Sequence, residues 1–265
     1  IRYQNLVATV GAFFNASDSV NKDEFDQFIQ GMGIKNSFPG VKGIAYAQRM
    51  DGSEKDFAIT KANSAGINFD IEPNGESGEH ATLLYVSPAN SGAPIGMDTY
   101  VVPGAKDGLA SASLNGTIVA SEPMQFLIDG KKTDGFVLAY PVVGGSPISG
   151  LSSNANQTYS GWVFAFVDPS SIIPTLNSLK DLNISSTDVA SGKPIVKGAS
   201  AQDSKYKSVF TYKSGTREYK AVVTPKPEFV SAAYDNTKAF RYAFLVANIQ
   251  VVAILLVVVF IMHKT

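Results

Sequence analysis

The sequence predicts an α+β fold in which helices come first and antiparallel sheets follow. Apolar residues recur at helical spacing over the first 33 residues. Short segments rich in β-branched and aromatic residues come next, bounded by glycine and proline, and this pattern is typical of strands. A continuously apolar segment closes the chain, from Ala243 to Met262. Helices kept apart from antiparallel strands indicate the α+β class, in which the helices pack on the sheets.

Two helices are predicted before the first strand. Within residues 1–17, apolar side chains recur every three or four positions, at Leu6, Val10, Phe13 and Phe14. Asn21, with Glu24 three positions later, forms a capping-box pattern that predicts the start of the second helix. Gly31 and Gly33 are expected to end that helix.

Strands dominate between residues 38 and 180, with helices among them. The predicted strands are VKGIAYAQRM, HATLLYVSP, TIVASEPMQFLI, GFVLAYPVV and GWVFAFVD. The predicted helices are GSEKDFAITKANSAG, with Ser53 as its N-cap, AKDGLASASLNG, and a short one near Pro169. A second block starts at about Lys180 and holds a hairpin around Ser214 and Gly215. A further helix is expected to lead from this block into the apolar segment.

The apolar segment predicts a transmembrane helix. Ala243–Met262 contains 20 residues without a formal charge. At about 1.5 Å per residue it spans about 30 Å, the thickness of the hydrocarbon core of a bilayer. The alternative, a helix buried in a soluble domain, would be amphipathic, whereas this segment is apolar on nearly all its faces. Basic residues flank both of its ends, so charge alone does not decide its orientation.

The composition argues against several classes of function. The net charge of the 265-residue chain is −1, so no basic field attracts nucleic acid. The absence of cysteine excludes disulfides, thiol catalysis and cysteine-based metal sites. The two histidines lack partners at metal-binding spacing, and no motif of a serine hydrolase, phosphate-binding loop or zinc protease occurs. We therefore predict no catalytic residue, no metal and no cofactor. A catalytic site made of two carboxylates remains an open alternative.

Several segments occur in a characteristic order along the chain: GAFFNASDSVNKDEFDQFIQGM with FPGVKGIAYAQRM, then ATLLYVSPAN, IGMD, ASLNGTIVASEP, GFVLAYPVV and GWVFAFVDPSSII. Taken together, these segments resemble the CHASE domain, the extracytoplasmic sensory module of receptor histidine kinases, nucleotide cyclases and plant cytokinin receptors. The resemblance covers about residues 5–180. The chain departs from the family at two positions. Asn115 precedes Gly116 where the family usually has a threonine, and Val143 stands where the family has tyrosine.

The resemblance implies a stalk and two PAS-like subdomains with antiparallel sheets. Stalk and entry helices would cover residues 1–33, a membrane-distal ligand-binding subdomain 34–180, and a membrane-proximal subdomain 181–235. Residues 1–240 would lie outside the cell membrane and the C-terminus in the cytoplasm, with residues 243–262 spanning the bilayer. An earlier transmembrane helix, a homodimer through the stalk, and a histidine kinase or cyclase as the output domain are also implied.

The resemblance also implies candidate ligand-binding residues. Asp98 matches the aspartate that hydrogen-bonds an adenine-like ring in the cytokinin receptors, and Ala120 falls where the family offers main-chain groups. Tyr85, Leu138 and Tyr140 lie on strands that are expected to face the pocket. Asp98 has a structural alternative as a turn or N-cap residue, and Tyr85, Leu138 and Tyr140 have the alternative of ordinary core packing, whereas the side chain of Ala120 is uninformative.

We therefore predict a sensor that binds a small organic molecule, with a cytokinin-like purine permitted but not required. Ligand binding would move the stalk, and the membrane helix would transmit the change. The alternative is a membrane-anchored interaction or structural domain without a small ligand, which would have large side chains filling the space near Asp98. Arg49, at the end of the first predicted strand, is expected to be a strand-end residue rather than a catalytic one.

Overall fold

The computed structural model confirms helices packed on antiparallel sheets. No helix in the described part of the chain is long and apolar enough to cross a membrane. The predicted membrane segment, Ala243–Met262, lies outside the described residues. The structure describes residues 2–72, 78–89, 91, 93–128, 131–143, 146–148, 150–151, 159–172, 181–198 and 205–234.

The predicted N-terminal helices are present. They are α1 (Arg2–Asn15), α2 (Lys22–Gly31) and the short α3 (Ile34–Ser37). The capping box is confirmed, because the Glu24 amide donates to the Asn21 side chain and the Asn21 amide donates to Glu24. The apolar stripe of α1 is buried against the first sheet at Leu6, Val7, Val10 and Phe14. Whether α1 continues into a long stalk stays a prediction.

The first sheet holds six strands in the order β2-β1-β6-β5-β3, with β4 pairing with β5. A predicted single strand, TIVASEPMQFLI, is split in two by residues 121–123. Pro123 has no amide hydrogen to give to a ladder, and the Val137 amide instead donates to the Ser121 hydroxyl at 2.9 Å. The strands are β1 (Val41–Asp51), β2 (Glu79–Ser87), β3 (Val119–Ala120), β4 (Met124–Ile128), β5 (Lys131–Val142) and β6 (Gly161–Val167).

Two helices lie between these strands, α4 (Lys55–Ser64) and α5 (Ala105–Asn115). Ser53 was predicted as the N-cap of α4, and the structure corrects this. Asp51 accepts the Ser53 amide at 3.0 Å, and this capping box opens a single 3₁₀ turn before α4 begins. The aspartate takes the role because its carboxylate can accept both the amide and the hydroxyl of Ser53.

The second sheet has the strand order β8-β7-β10-β9 and contains the predicted hairpin. Helix α6 (Pro227–Tyr234) follows it. The predicted subdomain boundary at residue 180 falls beside residues 173–180, which lie outside the described part, so the division stays a prediction. The strands are β7 (Leu182–Asp188), β8 (Pro194–Val196), β9 (Ser208–Ser214) and β10 (Arg217–Pro225).

A buried ion pair ties β7 to β10. The Asp188 side chain is fully buried and accepts two hydrogen bonds from Arg217, at 2.8 and 2.7 Å. It also accepts from the amide and the hydroxyl of Ser191. The hydrogen bonds from Arg217 and Ser191 hold the pKa of the Asp188 carboxyl well below its usual range.

This lowered pKa predicts an acid-sensitive second sheet. The ion pair stabilises the fold above about pH 4, the usual pKa of an unfolded aspartate, and its contribution is lost as the pH falls through the lower folded pKa. We expect Asp188→Asn to lower the free energy of unfolding by about 3 kcal/mol at pH 7. The difference from wild type should shrink toward pH 2, as measured by urea unfolding across this range. Asp134→Asn, at a surface pair with Lys197, is the control and should cost less than about 1 kcal/mol at pH 7.

Candidate functional site

The first sheet separates two apolar clusters. The α1-side face is covered by α1 and α2 and includes Tyr46, Tyr85, Leu138 and Ala165. The α5-side face is covered by α5 and by residues 93–100, here named the cover segment. Its cluster contains Ala45, Ala47, Ala81, Leu83, Ala139, Trp162, Phe164 and Phe166 from the sheet, with Leu109 and Ala112 from α5.

Small residues form the floor of the α5-side face. Gly43, Ala45 and Ala47 occupy alternate positions along β1, and on β2 the paired residues are Val86 and Leu83, followed by Ala81 on the same face. The large side chains of β6 stand next to this row because antiparallel pairing sets Gly43, Ala45 and Ala47 against Phe166, Phe164 and Trp162. The face is therefore low along β1 and high along β6, and Ser91 lies directly against the low part at Gly43.

Ser91 presents an unpaired hydroxyl to this floor. The residue is 3% exposed, and its Oγ has no hydrogen-bond partner among the described residues. A Cβ added at Gly43 would lie 2.5 Å from the Ser91 Cβ and 2.9 Å from its Oγ. Burying an unpaired hydroxyl costs about 1–3 kcal/mol. A hydroxyl left unpaired at that cost is a candidate for a ligand contact.

Asp98 anchors the cover segment to the outer edge of β2. Its Oδ1 accepts the amides of Ala81, at 3.1 Å, and Tyr100, at 3.0 Å. Its Oδ2 lies 2.8 Å from Nδ1 of His80, and both side chains are buried. In the tautomer with hydrogen on Nδ1, His80 donates this hydrogen bond to Asp98. Asp98 also caps the 3₁₀ turn that begins at Thr99.

A second polar group lies beside this anchor. Arg49 is 7% exposed, and its Nε donates to Glu79 at 2.6 Å. The Tyr100 hydroxyl donates to the same Glu79 oxygen at 3.1 Å. Burial, followed by the nearby Glu79 charge, raises the pKa of Tyr100 well above its usual value, so the phenol stays protonated and donates. The Arg49 guanidinium also lies 5.3 Å from the centre of the Tyr159 ring.

Aromatic rings close the same end of the α5-side face. Trp162 is fully buried, with its ring centre 6.0 Å from that of Tyr100 and 4.9 Å from that of Tyr159. Its indole N–H donates to the Ser113 hydroxyl at 3.1 Å and to the Leu109 carbonyl at 3.3 Å, both on α5. The position of α5 is thus tied to β6 through one side chain.

Tyr85, Leu138 and Tyr140 lie on the opposite, α1-side face. Tyr85 is 2% exposed, and its hydroxyl donates to the Val20 carbonyl at 2.9 Å. Leu138 is fully buried in the α1-side cluster. Tyr140 packs directly on α1, where a Cβ added at Gly11 would lie 2.4 Å from its ring. These contacts are those of core residues, and any ligand role for the three stays a prediction.

A bulge explains the placement of Tyr85. Tyr46 pairs with Tyr85 while Ala47 pairs with Leu83, so Leu84 is an extra residue in β2. Strict alternation would put Tyr85 on the same side as Leu83. The extra residue reverses the alternation and turns Tyr85 toward α1.

Ala120 lies at the free edge of β3. It pairs with Leu138, and its side chain faces the α1 side. Its amide points away from the sheet and donates to the Thr216 hydroxyl of the second sheet's hairpin at 3.4 Å. The main-chain contact of Ala120 with a ligand stays a prediction, and in the structure this amide donates to a protein side chain. The predicted five residues therefore do not surround one space.

The residues that do gather beside Asp98 were mostly missed from the sequence. The sequence predicts a strand-end role for Arg49 and no ligand-binding role for Glu79, Tyr100 or Trp162. One signal was present, because Trp162 is the only tryptophan of the chain. Among the described residues, no group of three or more histidine, aspartate or glutamate side chains is arranged to hold a metal.

Comparison with known families decides the class of this domain. The family model described as CHASE domain matches residues 18–196. The chain belongs to the CHASE family. The resemblance read from the sequence is thereby confirmed, and the CHASE domain described above is an extracytoplasmic sensory domain. Its α5-side face, with Asp98 at the edge, lies within the matched residues. A search of curated proteins found no match to the chain.

Solved structures similar to this CHASE domain include sensory domains of bacterial chemoreceptors. The ligand-binding domain of Pseudomonas aeruginosa PctC in complex with GABA is 14% identical with a TM-score of 0.49, covering 83% of this chain and 88% of that one. The periplasmic sensory domain of Campylobacter jejuni Tlp1 is 9% identical with a TM-score of 0.45, covering 84% and 87%. The Pseudomonas fluorescens CtaA domain with L-leucine is 13% identical with a TM-score of 0.46, covering 85% and 86%.

Proposed function

We propose that this CHASE domain is the ligand-sensing part of a transmembrane receptor, with a histidine kinase as the output domain. A small organic molecule binds between the low floor of β1 and the cover segment. The observation that carries the proposal is the row Gly43, Ala45 and Ala47 beneath the unpaired Ser91 hydroxyl. An apolar surface with a few placed polar groups is the usual composition of a small-molecule site.

Binding of the ligand requires the cover segment to lift from the floor and to close again. Asp98 holds one end of this segment on β2, so it acts as the fixed end of the movement rather than as a free ligand acceptor. A ligand changes the output only if it binds the open and closed states with different free energies. The flat floor and the aromatic side chains of β6 suit a molecule with a planar or apolar body, which includes purines and apolar amino acids.

Membership of the family supports a proposal for the remaining parts of the receptor. Residues 1–240 lie outside the membrane, Ala243–Met262 spans the bilayer, and the C-terminus is cytoplasmic. Dimerisation uses the side of α1 that faces away from the sheet, where Asn5, Thr9 and Ala12 are exposed. The apolar side of α1 is not available for this purpose because it packs on the sheet.

A pair of matched variants tests the site. Ala45 on the α5-side face and Ala165 on the α1-side face are both fully buried alanines on neighbouring strands. Changing either to valine overpacks the core and costs about 1–3 kcal/mol. The 265-residue chain is screened by thermal shift against purines and amino acids. We expect Ala45→Val to weaken the binding of any hit at least about tenfold, a loss of about 1.4 kcal/mol, and Ala165→Val to leave it unchanged.

Equal weakening by both variants would contradict the assignment of the α5-side face. Ser91→Ala is a second test of the same site. Because the hydroxyl is unpaired, its loss should leave the melting temperature unchanged or raise it, while weakening the bound hit. A fall in melting temperature together with unchanged binding would assign Ser91 to the fold instead.

The alternative function, an anchored interaction domain without a small ligand, is favoured by one observation. The ring of the fully buried Trp162 lies 6.0 Å from that of Tyr100, two positions from Asp98, and large side chains near Asp98 are what that alternative requires. Under this alternative the screen yields no hit that Ala45→Val weakens more than Ala165→Val. The same experiment therefore separates the two functions.

A further inference from the structure

Strand β3 contacts both sheets although it is only two residues long. The side chain of Val119 belongs to the α5-side cluster, where the proposed ligand site lies. The next residue, Ala120, turns its amide to the second sheet, and Thr216 accepts it. Two consecutive residues therefore join the ligand-facing cluster to the turn between β9 and β10.

The contact between β3 and this turn is a close approach of two backbones. Gly215 has φ +57°, in the left-handed region that favours glycine. A Cβ added at Gly215 would lie 2.9 Å from the Ala120 nitrogen and 3.1 Å from the Val119 carbonyl carbon. Neither neighbour is the end of a flexible side chain, so a larger residue at 215 must push the turn away from β3.

Ion pairs flank this contact on the surface. Glu122, two residues after β3, lies 2.9 Å from the Lys193 ammonium and 3.7 Å from the Arg217 guanidinium. The Lys193 pair is more than half exposed, so solvent screens it and its contribution is small. The backbone contact at Gly215 therefore resists a relative movement of the two sheets more than these ion pairs do, and the Phe136 ring of β5, 5.8 Å from the Tyr219 ring of β10, adds to it.

The second sheet leads from this contact toward the C-terminal end of the domain. β10 begins at Arg217, directly after the turn, and runs to Pro225. The Lys226 amide then donates to the Asp181 carbonyl at 2.8 Å, and α6 starts at Pro227. A shift of the turn is carried along β10 because five of its residues, 219–223, are paired on both sides, with β7 and β9.

We propose that Val119, Ala120, Gly215 and Thr216 form a coupling contact, here named the β3 clasp, that passes a change at the α5-side face to β10 and α6. The clasp rests on the proposed function in one respect only, namely that ligand binding is what changes the α5-side face. A change at the cluster displaces Val119, and β3 transfers the displacement to the hairpin turn. By thermodynamic linkage, disturbing the turn must also alter β3.

Hydrogen exchange on the 265-residue chain, without any ligand, tests the clasp. Gly215→Ala is compared with Gly192→Ala, because Gly192 has φ +70° in another turn of the second sheet with nothing within 4 Å of an added Cβ. Both variants introduce the same left-handed strain, and only the first pushes on β3. We expect Gly215→Ala to speed amide exchange over residues 119–121 about tenfold, and Gly192→Ala to leave it unchanged. Equal exchange in the two variants would overturn the proposal.

Two further variants keep the test decisive if Gly215→Ala does not fold. Thr216→Val removes the acceptor of the Ala120 amide at almost constant size, and exchange of that amide should rise about fivefold. In the reverse direction, Ala45→Val on the α5-side face should speed exchange over residues 214–217, and Ala165→Val should not. Unchanged amide exchange over residues 214–217 in Ala45→Val would overturn the proposal that the clasp transmits a change from the α5-side face to the turn. A screen without a ligand hit would overturn the proposed function alone and leave the clasp standing.

Discussion

Asp98→Ala is expected to lower the free energy of unfolding by about 3–5 kcal/mol, because each buried donor left without an acceptor costs about 1–3 kcal/mol. The variant leaves the buried His80 ring and the amides of Ala81 and Tyr100 without their acceptor. It also frees the cover segment from β2. Urea unfolding followed by the fluorescence of Trp162, the only tryptophan, reports directly on this part of the fold.

Asp98→Asn is the matched control. It keeps one oxygen for the two amides and loses only the acceptor that faces His80. We expect a loss of about 1–2 kcal/mol, between wild type and Asp98→Ala. A small loss in Asp98→Ala, below about 1 kcal/mol, would contradict the anchoring role. It would restore Asp98 as a residue kept for a ligand.

Gly96→Ala is expected to have the largest effect on the cover segment. Gly96 has φ +91°, and an added Cβ would lie 1.8 Å from the Asp70 carbonyl oxygen. Gly96 also donates to the Leu83 carbonyl and accepts from the Glu72 amide, so it holds the segment on β2. We expect a loss of more than about 4 kcal/mol, or failure to fold, as measured by urea unfolding.

Gly66→Ala separates this clash from simple backbone strain. Gly66 has φ +80°, but nothing lies within 4 Å of an added Cβ. Its substitution should cost only the left-handed strain, about 1–2 kcal/mol. Similar losses in the two variants would show that the approach to Asp70 is unimportant and that the cover segment is held elsewhere.

The local patterns of the sequence predicted most of the elements well. The capping box at Asn21, the strand that ends before Pro88 and the hairpin around Gly215 all follow from neighbours within a few positions. Two predictions were wrong for local reasons. Asp51, not Ser53, is the capping residue before α4. Pro123 lies in the break that divides the predicted single strand into β3 and β4. The membrane span remains a sequence prediction.

The candidate site depended on contacts between distant residues. Asp98 was identified through the family resemblance, but its partners lie 17 and 18 positions away on β2. The Ala120 amide meets Thr216 across 96 positions. Such pairings depend on how the strands are ordered in the sheets, and periodicity within a segment carries no information about that order.

By itself, the sequence determined the class of the fold, the family and the apolar segment, because spacing, turn residues and hydrophobic length are properties of continuous stretches. The tertiary structure decided which face of the sheet each side chain occupies. A single extra residue at Leu84 reverses the alternation of β2 and sends Tyr85 to the α1 side. Pairing across β1 then gathers Arg49, Glu79 and Tyr100 beside Asp98. The physical reason is that alternation fixes relative faces only while the register is unbroken, and the register is set by the neighbouring strand.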